Sequence, residues 1–274
     1  MRLTTRTAAT ILVLAVPCLA ARLSEPAQRA FADYVAMLET RLTQQHVSPD
    51  TYLATFNLTP AGRTNVERQL KSGAVRVEPA NGGTWEVSGG LLHHWRGVAF
   101  VPGAKARDML ALLRDYNGLA RYYAPEVQTS RALADHVEFA TVAMRLKEQK
   151  VVTVVLDTEY DLHTGLTGPG RGYSSSRSTH IWQVEEAGTA HERRLPEGDD
   201  DGFLWRLNSY WSFLELPDGL LIECEAVSLT RDVPNGLGWL IGPIVQDLPR
   251  ESLEFTLRAT RNSLATNGMK EARR

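Results

Sequence analysis

The residues able to do chemistry in this chain are few, and they are scattered. His93-His94, His163 and His180 could bind a metal or carry a proton. Adjacent residues on a strand point to opposite faces, so His93 and His94 cannot readily join one ligand set, and no His-x-His or cysteine pair reinforces them. Ser178 and His180 can be written into a nucleophile–base pair, but neither sits in a nucleophile elbow. Glu197-Gly198-Asp199-Asp200-Asp201 has the carboxylates of a calcium loop without its spacing, and reads as a solvated turn before Phe203. Gly168-Pro169-Gly170-Arg171-Gly172 lacks the Lys-Ser/Thr of a phosphate loop, and its proline removes an amide donor, so it reads as a connection between strands. No catalytic residue, metal or cofactor is therefore expected. What remains is a set of polar side chains inside apolar strands, Tyr160, His180 and Cys224, suited to hold a ligand.

Bulk composition narrows the partners. The chain has 274 residues, 43% of them hydrophobic, and a formal charge of −2. No basic tract exists to neutralise phosphates, which argues against nucleic acid. Arg2 and Arg6, an apolar run from Ala8 to Val16 and Cys18-Leu19-Ala20 make a secretory signal pattern, too short to span a bilayer. Cleavage near Ala20 predicts an exported protein, periplasmic or secreted. It also removes Cys18 and leaves Cys224 alone, so no internal disulfide contributes and core burial must supply stability.

The elements that must position these residues follow from periodicity. Ser24-Glu25-Pro26 starts a helix whose Phe31, Tyr34, Val35, Leu38 and Leu42 share a face, to about Gln45. Residues 46–69 give no clear pattern. Val75 and Val77, a turn at Asn81-Gly82-Gly83, and Trp85 and Val87 read as a short hairpin. From Leu91 the order is strand (91–101), two helices around Leu112 and Leu119, then six strands near 127–134, 137–146, 151–161, 173–184, 204–215 and 220–231. A final helix is capped by Asp247, with Pro249 in its first turn and Leu253, Leu257 and Leu264 on one face. Short connections imply an antiparallel meander, and a sheet this wide must curl around something. The last helix is the only element long enough. The division is a signal at 1–20, an N-terminal extension at 21–90, the main domain at 91–266 and a polar tail at 267–274.

Register gives a sharper expectation. In a hairpin, facing residues point the same way. The loop Leu216–Gly219 pairs Glu215 with Leu220, hence Phe213 with Ile222, Trp211 with Cys224 and Leu207 with Ser228. The inner wall then holds Trp211 and Phe213 opposite the small Cys224, Ala226 and Ser228, with Trp205 beside them. On the earlier hairpin, Ala140, Val142, Met144 and Leu146 match Val152, Val154, Leu156 and Tyr160 only across an odd-numbered loop, such as Glu148-Gln149-Lys150. Polar Arg177, Thr179 and Gln183 place His180 and Trp182 inward. The expected ligand cavity is lined by Met144, Tyr160, His180, Trp182, Trp211, Phe213, Cys224, Ala226, Ser228 and Leu257.

Two stretches carry a family resemblance over residues 91–266. "LLRDYNGLARYYAPEVQTSRAL", with Asp115, Tyr116, Tyr123, Pro125 and Val127, and "LTRDVPNGLGWLIGPIVQDLPRESLEFTL" resemble the helix-to-strand passage and the last strand and helix of the START and polyketide-cyclase-like superfamily, including bacterial coenzyme-Q-binding START proteins. The resemblance implies an α+β helix-grip fold and a hydrophobic partner: a lipid, isoprenoid, quinone or polyketide. It carries over no catalytic signature. Three functions stay open: binding or transfer of such a molecule, a cyclase- or aromatase-like enzyme using His180 or Tyr160, and an interaction module whose N-terminal helix touches a partner or, transiently, the membrane surface.

Overall fold

The structure is a computed structural model of the chain and describes residues 21–149, 153–232 and 238–271, with side chains to 232 and from 247 to 266. The signal segment lies outside the described residues. Helix α1 (Glu25–Gln45) begins as expected, Ser24 Oγ accepting from the Ala27 amide at 3.2 Å. Two 3-10 turns (Pro49–Thr51 and Ala54–Phe56) and α2 (Pro60–Lys71) fill the stretch without a clear pattern. The main strands are β2 (Val75–Val87), β3 (Gly90–Pro102), β4 (Val127–Asp135), β5 (Phe139–Gln149), β6 (Thr153–Gly168), β7 (Arg171–Glu185), β10 (Arg206–Leu216) and β11 (Gly219–Thr230). Short helices α3 (Ala106–Arg114) and α4 (Leu119–Tyr122) separate β3 from β4, and α5 (Gly238–Glu271) closes the chain. Three two-residue strands complete the set: β1 (Ala21–Arg22) pairs with β9 (Asp199–Asp200), and β8 (Arg193–Arg194) pairs with β7.

All neighbours in the large sheet are antiparallel, in the order β2-β3-β11-β10-β7-β6-β5-β4. This curved sheet holding a C-terminal helix is the START-like helix grip. Helix α5 seats on β3, where Gly97 makes room: a Cβ there would stand 2.3 Å from Leu257 Cδ1. Leu253, Leu257 and Leu264 all point into the core, as their spacing predicts.

Three expectations are corrected. Asn81-Gly82-Gly83 does not reverse the chain. All three have positive φ and form a bulge between Pro79 and Thr84 within the single strand β2, so Val75, Val77, Trp85 and Val87 all pair along β3. The true reversal is Ser88-Gly89, where Gly89 takes φ 87°. Second, α5 starts at Gly238, so Asp247 lies inside the helix and is no cap. Third, Asp200 is buried rather than solvated, accepting from the Gly202 amide (2.6 Å) and Trp205 Nε1 (3.1 Å) while β9 pins β1.

The sheet is covered on both faces. Opposite α5, the outer face carries Leu92, Tyr210, Val227 and Leu229 beneath Ala27, Phe31, Leu38 and Leu42 of α1. Farther along it, Val98, Phe100 and Leu221 lie beneath Tyr52, Leu53, Phe56, Val66 and Leu70. Strands β3 and β11 therefore read as nearly continuous buried runs. That is the pattern of strands packed on both sides.

Candidate functional site

Cross-strand pairing sorts the inner wall into four rows. Gly172, Phe213, Ile222 and Ala99 are successive partners across β7, β10, β11 and β3, followed by Ser174, Trp211, Cys224 and Gly97. Every residue of these two rows is buried, packed against α3 and α5. The third row is Ser176, Ser209, Ala226 and Trp95, and all four are only half-buried. The fourth contains Leu207, Ser228 and His93. Three small side chains beside one indole stand here, where a solid core would place larger aliphatics.

Toward β6 and β5 the third row passes to Leu162 and Ala140, and the fourth, through Ser178, to Tyr160 and Val142. Met144 lies between Ser130 and Thr158 and is half-buried, while Tyr160, one alternation on, is buried among Tyr116, Leu119, Val142 and Leu162. Two polar atoms on this wall are buried without a hydrogen-bond partner, Tyr160 Oη and Trp95 Nε1. The Thr158 hydroxyl beside Tyr160 donates to the Met144 carbonyl at 3.0 Å. Burial pushes the Tyr160 phenol above its usual range, with only Thr158 opposing, so it stays a donor. Trp95 is held by the β2 bulge: Gly83 takes φ 84°, and a Cβ there would stand 3.2 Å from its ring. Above them, Tyr123 Oη bonds Thr260 Oγ1 of α5 at 2.9 Å, and burial raises its phenol to about 12. Burial likewise drives the Cys224 thiol up, which leaves it un-ionised and inert as a nucleophile.

Of the residues expected to line a cavity, Met144, Tyr160, Trp211, Phe213, Cys224, Ala226, Ser228 and Leu257 face the interior. Only Met144 and Ala226 are half-buried, Ala226 within the third row, and Trp211, Phe213, Cys224 and Leu257 belong to packed core. His180 and Trp182 are corrected to the outer face. Thr179 is an extra residue, so Tyr160 faces Ser178 while Glu159 faces His180, and the alternation flips. His180 is exposed, bonds Glu197 at 2.9 Å and stacks on Trp182, whose ring also lies 4.6 Å from the Arg194 guanidinium. Trp205 precedes β10 and packs under α1.

The outer face holds a second polar cluster that sequence reasoning missed. Glu223 and Glu225 alternate outward as expected, yet both are 1% exposed. Glu225 takes two bonds from Arg41 Nη2 (2.7 and 2.6 Å) and one from His94 Nε2 (2.9 Å), and Tyr34 Oη meets His94 Nδ1 at 2.7 Å. Burial alone would raise the Glu225 carboxyl, but His94 and Arg41 outweigh it and hold it at about 2. Glu223 accepts the amides of Ala54 and Thr55 at 2.8 and 2.7 Å. Burial and the neighbouring Glu225 charge raise its carboxyl. The legible signal was two acids in a strand flanked by apolar residues on both sides, with Arg41 on the apolar helix. Adjacent histidines do part to opposite faces: His94 goes here, and His93 sits inside between Thr84 (2.9 Å) and Thr230 (3.0 Å).

No family model and no curated protein matches this chain. Solved structures with a similar fold include a STAR-related lipid transfer protein fragment from Xanthomonas axonopodis, at 19% identity and TM-score 0.43, over 69% of this chain and 98% of that one. A START superfamily protein from Mycobacterium smegmatis is similar at 14% identity and TM-score 0.42, over 64% and 98%. The Zhui aromatase/cyclase from Streptomyces sp. R1128 is similar at 16% and 0.38, over 67% and 94%. The likeness is one of fold alone.

Proposed function

We propose that this chain binds a hydrophobic small molecule, a lipid, isoprenoid, quinone or polyketide-like compound, against the inner wall. The observation that carries the reading is the row Ser176–Ser209–Ala226–Trp95, half-buried on an interior face beside two fully buried rows. Enclosing apolar surface there gains about 25 cal/mol per Å² removed from water. A membrane offers nearly the same gain, so selectivity rests on shape and on a few polar contacts. The signal pattern at 1–20 supports an exported binder working outside the cytoplasm.

The cyclase reading loses one of its two residues, because His180 lies outside and is paired with Glu197. The membrane-docking reading loses its surface, because Phe31 and Leu38 are 7% and 3% exposed against the sheet. The test is native mass spectrometry and solvent extraction of protein expressed with its N-terminal segment intact. One hydrophobe per chain is expected, released by Ala226→Leu. A chain that carries nothing, and that also takes up no apolar fluorophore, overturns the proposal.

A further inference from the structure

The unpartnered atoms of the inner wall share one chemical character. Tyr160 Oη and Trp95 Nε1 are both donors, and both are buried. Tyr160 is itself 3% exposed and stands among apolar and aromatic side chains. A tryptophan N–H can only donate, and a tyrosine whose phenol is not ionised offers its proton first. An unmade hydrogen bond at a buried donor is costly, so each is a place where an acceptor would be favoured.

The charge inventory points the same way. Ser130, Met144, Thr158, Tyr160, Ser176, Leu207, Ser209, Ala226, Ser228 and Trp95 include no acid, lysine or arginine. The one titratable imidazole, His93, is neutral near pH 7, since burial holds it at about 4, and both its nitrogens are engaged by threonines. The guanidinium groups at β3 and β11, those of Arg96 and Arg41, lie on the outer face and are bound to Glu78 and Glu225. An ionised carboxylate placed on the inner wall would meet no cation among the described residues, and a buried unpaired charge is strongly disfavoured.

We infer that the ligand is an uncharged amphiphile carrying an oxygen acceptor, such as an ester or ketone carbonyl, and that Tyr160 donates the hydrogen bond that receives it. Trp95 offers a second donor four strands away, about 19 Å along the sheet at the usual strand spacing. An elongated molecule with acceptors toward both ends would meet both. A free fatty acid is the wrong class, because its head group needs a cation that the described residues of this wall do not supply. The inference rests on the binding function proposed above.

Three pyrene-tagged probes of equal chain length separate the possibilities: the decane, the methyl decanoate and the ionised decanoate. Titrated into the full-length protein at about pH 8, the ester should bind roughly tenfold tighter than the alkane, the scale of one buried hydrogen bond. The carboxylate should bind no better than the alkane. Tyr160→Phe keeps the ring and removes the donor, so it should bring the ester down to the alkane and leave the alkane unchanged. An ester preference that survives Tyr160→Phe overturns the assignment of Tyr160. A carboxylate that binds as tightly as the ester overturns the ligand class, whatever the variant does, so this result stands even if the variant misfolds. If the wild type binds none of the three, the binding function itself falls and takes the inference with it. Binding of the alkane with no ester advantage defeats the inference alone.

Discussion

The two faces of the sheet bury polar groups in opposite ways. On the outer face, Glu225 has Arg41 and His94, Glu223 has two backbone amides, and His94 has Tyr34. On the inner face, Tyr160 Oη and Trp95 Nε1 have no hydrogen-bond partner, and the row that holds Trp95 is half-buried. A buried polar group with its partners in place is architecture, fixing how the N-terminal segment sits. A buried donor without one is an unfinished contact, and it is the place to look for a ligand.

The hardest blow to this contrast is removal of residues 21–71. If the outer cover is architecture, the remaining chain should fail to fold. Leu92, Val98, Phe100, Leu221, Val227 and Leu229 would be exposed together, and Glu223 and Glu225 would lose their helix- and turn-borne partners. Circular dichroism and light scattering should report aggregation. A soluble fragment with a cooperative transition near that of the intact chain would make the N-terminal segment a detachable module instead.

Acid titrates both faces at once. Burial depresses His93 on the inside and His46 on the outside from 6.5 to about 4, and Arg41 adds to the effect at His46. A base bound less tightly to its proton in the folded state stabilises fully above its unfolded pKa. That stability is lost as pH falls from about 6.5 toward 4. For fully buried His93 the loss is on the order of 3 kcal/mol at 1.36 per pH unit, with a smaller share from His46. Urea midpoints across that window should fall for the wild type and fall less for His93→Gln. Glu225, held at about 2, adds its own loss only at lower pH, below its ordinary carboxyl range. Identical slopes in wild type and variant would show that His93 is not held neutral.

Breaking one outer partnership tests the same idea locally. Arg41→Met leaves the Glu225 carboxylate buried with His94 alone and should cost about 2–3 kcal/mol in urea unfolding. Adding Glu225→Gln should recover most of that loss, since the pair rather than the charge is what the fold needs. If Arg41→Met is neutral, the outer cluster is a surface ornament.

Within the inner face the rows can be set against each other. Cys224→Leu adds volume to a packed row, where Trp211 and Gly97 flank it, and should destabilise by about 1–3 kcal/mol. Ala226→Leu, one alternation down the same strand, adds volume to a half-buried row and should cost under about 1 kcal/mol while displacing ligand. Equal penalties would mean that the third row is as full as the second.

How much of this was legible depends on what fixed each feature. The β10–β11 register was readable to the residue, Phe213 to Ile222 and Trp211 to Cys224, because a short loop and an alternating pattern determine it jointly. The described β5–β6 pairing runs to Gln149 with Thr153, which keeps the expected faces together but lies two positions beyond the register chosen. Its apolar residues fit either register. His180 and Trp182 were misplaced because one extra residue in a strand inverts every side chain beyond it, and Thr179 carries no mark of doing so. The outer cluster was hidden for a different reason. Acids in a strand ordinarily signal solvent, and only the tertiary fold brings Arg41 and the turn at Ala54 over them. Tyr160 was visible as a polar residue in an apolar strand, but its lack of a partner is a property of the packed structure alone.

That lack of a partner gives the smallest prediction and the most pointed. Tyr160→Phe would ordinarily remove a hydrogen bond and weaken a protein by about 1 kcal/mol. Here the hydroxyl makes none, so the ligand-free variant should be more stable, by about 1 kcal/mol, because a buried donor no longer goes unpaired. Val142→Ala, on the partner strand in the same cluster, supplies the control: it should destabilise by the usual cost of lost apolar volume. Stabilisation by Tyr160→Phe that vanishes when a carbonyl-bearing ligand is bound would tie the unmet donor to the ligand. A variant that loses stability in the absence of ligand would place a satisfied hydrogen bond at Tyr160, and the contrast between the two faces would end there.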